Sequence, residues 1–241
     1  MREGTFGLDR RRIVPEILDG LSADDPRAVR SRGDLRRINW LMGNASVIAS
    51  LVNRHAEPRA GARFVEFGAG DGRQSLRVAR RLAKRWPNAS LTLLDINPSV
   101  SDATRRRIEG LGWRVEVVAR DVFGWAGQGS DQGSEQGGEP FDAAWANLVL
   151  HHFDDDALAE LLKALARRAQ VVVAAETRRT IPSLLAAWGT ALIGANDVSR
   201  HDALVSVRAG FRDGDLTALW PATALEDGRR GPFTQAFAGR A

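Results

Sequence analysis

The 241-residue chain contains no cysteine, no tyrosine and only two lysines, Lys84 and Lys163. Without thiols there is no disulfide framework, no thiol nucleophile and no thiolate metal centre, which is the composition expected of a cytoplasmic protein. Without tyrosine no phenol can serve as acid or base. The scarcity of lysine means that the formal charge of +4, from 34 basic and 30 acidic residues, rests almost wholly on arginine. Those arginines are interspersed with acids instead of being gathered with aromatics into a basic stripe, so nucleic acid is not expected as a partner. No apolar run is long enough to span a membrane, and no basic segment followed by an apolar one opens the chain. The expectation is a cytoplasmic protein with no membrane span.

With 44% hydrophobic and 27% charged residues, the composition is that of an ordinary globular protein of one sizeable domain with an appendage. Residues 1–60 read as an N-terminal helical segment. Between positions 27 and 53, Val29, Leu35, Ile38, Leu41 and Met42, then Val47, Ile48, Leu51 and Val52, recur at helical spacing. Residues 61–241 read as the main domain. Apolar runs of strand length stand at 63–67, 91–95, 115–119, 143–150 and 171–175, separated by amphipathic helical stretches near 75–85, 100–109 and 157–168. Strands that are apolar throughout and alternate with helices predict a parallel sheet covered on both faces. The Gly/Ser/Gln-rich run at about 126–140 cannot bury apolar area and is expected to be a flexible loop. Beyond the fifth strand, "IPSLLAAWGTALIG" suits a helix with Pro182 in its first turn, and "HDALVSVRAGF" a helix ended by Gly210. "LTALW" and "FTQAFAG" are candidates for a final antiparallel hairpin at the sheet edge. The fold class expected is α/β, a doubly wound Rossmann-like seven-stranded sheet, mostly parallel with an antiparallel last strand, preceded by a helical lid.

The chemistry concentrates in "FVEFGAGDG", where Gly68, Gly70 and Gly72 follow the first strand at alternate positions. A glycine-rich turn between a strand and its helix presents backbone N–H groups and the helix N-terminus to a ligand. A dinucleotide site requires a small residue where this chain has Arg73, so the NAD pattern is broken. With "LTLLDINP", "VVARDVF" and "NLVLHHF" following in order, residues 63–153 resemble the class I S-adenosylmethionine-dependent methyltransferases, in particular bacterial small-molecule enzymes of the ubiquinone/menaquinone-biosynthesis type. The resemblance implies S-adenosylmethionine as cofactor and S-adenosylhomocysteine as product. It places Glu66, Phe67, Gly68, Ala69, Gly70 and Gly72 along the cofactor's methionine part. Asp95 would hold the ribose hydroxyls, Ile96 border the adenine, Asp121 accept from its amino group, and Val122 lie beside the ring. Asn147 and Leu148 would stand near the transferring methyl.

For the acceptor, the apolar face of the N-terminal lid suits a small apolar or aromatic metabolite, and O-methylation is expected over C-methylation, although the resemblance itself does not distinguish the two. His151 and His152, just beyond the fourth strand, are the first base candidates, since an imidazole suits a phenol or enol. His201, beside Asp202, is a third candidate and could also touch substrate. A helix start with Ser199 as N-cap and Asp202 in its first turn explains that pair equally well. Trp40 and Met42 are candidate wall residues of the lid, and His55 is expected to be solvated. "FDDDA" reads as an N-cap at Asp154 with favourable first-turn charges, and no metal is expected. Enzymes that methylate exocyclic amines carry Asn/Asp-Pro-Pro-aromatic where this chain reads Asn147-Leu148-Val149-Leu150, which lowers base methylation. A nucleic-acid methyltransferase, a non-catalytic scaffold and, more distantly, an NAD-dependent oxidoreductase are the rival readings. A second copy of the chain, as a homodimer, is the other partner considered.

Overall fold

The computed structural model describes residues 7–22, 24–127 and 140–241. Most of the loop expected at 126–140 lies outside these residues.

Asp25 opens helix α1 (Pro26–Met42), its carboxylate accepting from Arg27 N–H with Pro26 in the first turn. Gly43, left-handed at φ +69°, ends α1 and starts α2 (Asn44–His55), so the run expected as a single helical stretch is two helices. The two do different work. Ala45, Ile48, Leu51 and Val52 of α2 enter the main core, whereas α1 buries only Ala28, Ser31 and Asp34. Asp34 Oδ2 accepts from Ser199 Oγ and Asn196 N, which ties α1 to a late helix.

Strand β1 (Arg63–Phe67) leads through the glycine turn to α3 (Arg73–Leu82). There follow β2 (Ser90–Asp95), α4 (Asp102–Glu109), β3 (Arg114–Ala119), α5 (Val122–Gly127), β4 (Ala143–Asn147), α6 (Asp155–Ala166), β5 (Val171–Thr177), α7 (Ile181–Gly189), α8 (Asp197–Ala209) and α9 (Asp215–Leu219). An antiparallel pair, β6 (Thr223–Arg230) and β7 (Thr234–Arg240), closes the chain. The seven strands are ordered β3-β2-β1-β4-β5-β7-β6, with β7 antiparallel to both neighbours. This is the doubly wound Rossmann-like sheet expected. Its strand order reverses between β1 and β4, and the crevice beyond the carboxyl ends of those strands is where such sheets take ligands.

Alternation along the strands makes two cores. On one face Phe64 packs against Trp86, Trp113 and Trp145 with ring centroids 5.2, 5.2 and 5.7 Å apart, under α2 and α3. On the other, Val65, Phe67, Leu94 and Phe237 pack against Leu158, Leu161 and Leu162 of α6.

Four local expectations are corrected. "LTALW" is the helix α9, because left-handed Gly214 starts a turn that buries Leu216 and lets Thr217 N–H donate to Asp227 at 2.9 Å. Its place as a strand is taken by β6, whose sequence "TALEDGRR" is polar because it forms the outer edge, with a bulge between Ala224 and Glu226. The N-cap of α8 is Asn196, which accepts from Ser199 N, so Ser199 lies inside the helix. His55 ends α2 and is half-buried, 2.7 Å from Glu226 Oε1, instead of solvated. Asp154 does cap α6, accepting from Ala157 N–H at 2.8 Å.

Candidate functional site

The three glycines of "FGAGDG" all have positive φ, at +66°, +52° and +70°, a region costly for residues with a Cβ. Their surroundings differ. A Cβ on Gly68 would stand 2.2 Å from Val149 Cγ2, and one on Gly72 would press on Val100, Leu93 and Thr104 at 3.2–3.3 Å. A Cβ on Gly70 would meet nothing within 4 Å. Gly68 and Gly72 are therefore small because the protein packs against them, whereas Gly70 lies open to the crevice.

Asp95, at the end of β2, fastens this turn: its Oδ2 accepts from Gly70 N–H and its Oδ1 from Asn97 N–H, both at 2.8 Å. Asp121, at the end of β3, caps α5 by accepting from Gly124 N–H at 2.8 Å. Both carboxylates line a cleft of ≈ 250 Å³ together with Arg120, and its other walls are the apolar Phe67, Gly68, Leu94, Ile96, Val122, Val149, Leu150, Phe153, Leu161 and Leu165. An apolar slot with two carboxylates along one side suits a flat heterocycle joined to a vicinal diol, since a carboxylate accepts from both hydroxyls.

Beneath the turn, Glu66 is completely buried, and its Oε2 has no hydrogen-bond partner. Burial pushes its carboxyl well above the ordinary value of 4.5, and the nearby Asp71 and Asp95 add to the shift. A cationic ligand group would relieve both the orphaned oxygen and the buried charge.

The strand expected to run to residue 150 stops at Asn147, because Leu148 turns left-handed at φ +55° and residues Leu150–His152 form a 3-10 turn. That turn is held by Glu176 of β5. Its Oε1 accepts from the N–H groups of Val149 and Leu150, both at 2.9 Å, and its Oε2 lies 2.7 Å from His151 Nδ1. Asn147 accepts from Asn44 at 2.9 Å and Gln74 at 3.4 Å, linking α2, α3 and β4 behind the glycine turn.

The N-terminal segment lies over the histidines. Glu16 Oε1 is 3.6 Å from His151 Nε2 and accepts from Ser206 Oγ, and Asp19 Oδ2 is 3.8 Å from His152 Nδ1. The segment is anchored by Asp202 of α8, whose two oxygens accept from the N–H groups of Ile17 and Leu18 at 2.8 and 3.0 Å. Although burial favours the neutral form of His151, the carboxylates of Glu16 and Glu176 on either side hold its pKa up to about 9. His152, stacked on it at 4.4 Å, is pushed below 6.5 by burial and by the positive ring beside it. At neutral pH the pair thus consists of one imidazolium and one neutral imidazole.

The structure brings Glu66 through Gly72, Asp95, Ile96, Asp121, Val122, Asn147, Leu148, His151 and His152 to one edge of the sheet. Three candidates stand apart. Trp40 and Met42 are on α1, with Trp40 67% exposed, and neither lines the cleft. His201 is exposed and 3.1 Å from Asp202 Oδ1, the oxygen that also accepts from Ile17 N–H of the N-terminal segment, and it does not line the cleft. Sequence reading missed Glu16 and Glu176. Glu176 had a signal, an acid closing the apolar run "VVVAAET"; Glu16 had none, because only folding carries it to the histidines.

Residues 64–170 match a family model described as a methyltransferase domain. In sequence, 79 residues are 29% identical to the ribosomal RNA small subunit methyltransferase C of Stutzerimonas stutzeri (strain A1501), a match covering 33% of this chain and 23% of that protein. The match thus spans about a quarter of that relative's length. Among solved structures, the plantazolicin methyltransferase in complex with S-adenosylhomocysteine is 12% identical with a TM-score of 0.57, covering 90% of this chain and 91% of that one. Mitomycin 7-O-methyltransferase is 21% identical with a TM-score of 0.56, over 93% of this chain and 60% of the other. The N,N-8-amino-8-demethyl-D-riboflavin dimethyltransferase of Streptomyces davawensis is 16% identical with a TM-score of 0.57, over 94% and 62%. At these identities the structural likenesses establish the fold, while the family match lies on the segment that carries the glycine turn, Asp95, Asp121 and the histidine turn. Residues 64–170 thus carry a methyltransferase domain, whose cofactor is S-adenosylmethionine, on the fold of a methyltransferase solved with S-adenosylhomocysteine.

Proposed function

We propose that this chain methylates a small apolar or aromatic metabolite at oxygen. The observation that carries the reading is the neutral, half-exposed His152 beside the cofactor cleft, under an N-terminal segment that presents Ile13, Val14 and Ile17 partly to solvent.

In this reading Asp95 accepts from the ribose hydroxyls, Ile96 and Val122 border the adenine, and Asp121 accepts from its amino group. Gly70 leaves room for the methionine chain, whose ammonium meets the orphaned oxygen of Glu66. The bound cofactor supplies an electrophilic methyl group on a sulfonium. The chain's own task is to hold the acceptor oxygen in line and remove its proton while keeping water out. His152 takes that proton, because His151 already carries one, and the positive His151 steadies the developing oxyanion. Trp40, Met42 and His201 contribute at most to the acceptor's outer approach, since they lie outside the cleft.

A nucleic-acid acceptor is the second reading, favoured by the ribosomal RNA methyltransferase among the relatives. It is disfavoured by the missing prolines after Asn147 and by arginines mixed with acids. Binding of RNA that weakens steeply with salt would support it, because phosphate contacts release counterions.

Calorimetric titration with S-adenosylhomocysteine tests the cofactor site. The parent protein is expected to bind it and to ignore NADH. Asp95→Asn, which keeps one acceptor oxygen for a loop N–H, replaces the other by an amide nitrogen that cannot accept, and loses the charged grip on the diol, is expected to bind about 10–100-fold more weakly, a cost of about 1.4–2.7 kcal/mol. Unchanged affinity in that variant would remove Asp95 from the site.

A further inference from the structure

The geometry points to a divalent metal site of the zinc class formed by Glu16, His151 and His152, with the positions not taken by protein open towards the acceptor. One ligand atom from each of these residues lies within 4.8 Å of the others. Two imidazoles and one carboxylate are the ligand set of a metal centre that keeps a position for water or substrate. The supporting shell is already in place. His151 Nδ1 is engaged by Glu176 Oε2 at 2.7 Å, leaving Nε2 directed towards Glu16, in the carboxylate–histidine–metal relay that fixes tautomer and ring orientation. Glu16 is steadied by Ser206 Oγ.

The surrounding charge favours a cation. Three carboxylates, Glu16, Glu176 and Asp19, face the two rings, of which His151 is buried and His152 exposed, and a divalent ion in place of the imidazolium proton offsets two of their three charges. With bonds of about 2.0–2.2 Å required, the atoms must close up modestly, and Glu16 and His152 belong to the segment and turn at the protein's edge. No metal is expected anywhere in the chain from sequence, and this proposal departs from that expectation; the acids Asp154 to Asp156 do form the cap and first turn of α6, and the present cluster involves none of them. This inference rests on the methyl-transfer reading only for its consequence: a bound ion would engage the acceptor oxygen and lower its pKa, and His152 would then act as ligand instead of base.

The test uses the full chain without a polyhistidine tag, titrated calorimetrically with Zn²⁺ and, for its visible absorption, with Co²⁺. The four histidines, His55, His151, His152 and His201, and the absence of cysteine make the assignment tractable. One site of micromolar or tighter affinity is expected, weakened at least a hundredfold in Glu16→Gln and in His152→Ala and unchanged in His55→Ala and His201→Ala. Intensified Co²⁺ bands of a low-coordinate site should appear in the parent and vanish in the first two variants. Both those variants should still bind S-adenosylhomocysteine, which shows that they are folded and separates this proposal from the cofactor site. No saturable site, or one that survives Glu16→Gln and His152→Ala, overturns the proposal, as does a site lost only with His201 or His55, which would be an adventitious surface ion.

Discussion

Alanine at Gly68 is expected to destabilise the protein strongly, whereas alanine at Gly70 is expected to cost less stability and leave the protein unable to hold its cofactor. At Gly68 the new methyl would stand 2.2 Å from Val149 Cγ2, in a backbone conformation of φ +66°. Val149 has little room to yield, because its side chain is β-branched and its N–H is fixed by Glu176. The left-handed penalty and the overpacking together amount to about 2–5 kcal/mol, read as a fall in the urea midpoint. At Gly70 only the conformational penalty applies, about 1–2 kcal/mol, since no atom lies within 4 Å of the added carbon. The space it would occupy is the one assigned to the methionine chain, so affinity for S-adenosylhomocysteine should fall at least thirtyfold. If Gly70→Ala binds as the parent does, the ligand does not cross this glycine. If Gly68→Ala is as stable as Gly70→Ala, the packing of Val149 on the turn has been misjudged.

Glu66→Gln is expected to gain stability and lose function. The buried carboxyl of Glu66 has its pKa raised well above 4.5 in the folded protein. A carboxyl shifted in this direction favours the folded state relative to its effect at higher pH: its contribution is fully present below pH 4.5 and is lost as pH rises through the folded value. At pH 7 the ligand-free protein must either bury the charge or take up a proton that the unfolded chain would not bind, and both cost stability. Glutamine removes that cost. The variant should melt above the parent at pH 7–8, by roughly 2–4 °C per kcal/mol regained, and approach the parent near pH 4.5. Its affinity for S-adenosylhomocysteine should fall by about a hundredfold or more, because no carboxylate remains to meet the ligand's ammonium. A variant that melts lower than the parent at pH 7 and binds normally would make Glu66 a structural residue.

Much of the architecture could be read from local pattern. The five parallel strands, β1 to β5, follow from apolar stretches of strand length, which a sheet covered on both faces requires. The glycine turn followed from spacing alone. The failures share one cause. "LTALW" and "TALEDGRR" are short segments whose state is settled by neighbours: Leu216 is buried beneath α9, and β6 is a strand only because β7 supplies its hydrogen bonds. Ser199 resembles a cap by residue type, but Asn196 three residues earlier accepts the N–H bond.

The candidate site divides along the same line. Sequence by itself determined the sheet, the order of its stations, the three-glycine turn and the acids at 66, 95 and 121, because each depends on a strand and the turn that follows it. Only the tertiary structure decided which glycines face ligand and which face protein, and that His151 is a cation while His152 is neutral. The reason is that those properties come from groups distant in the chain: Val149 against Gly68, and Glu16 and Glu176 on either side of His151. Local spacing carries no information about such partners, and burial and charge act only once folding has brought them within a few ångströms.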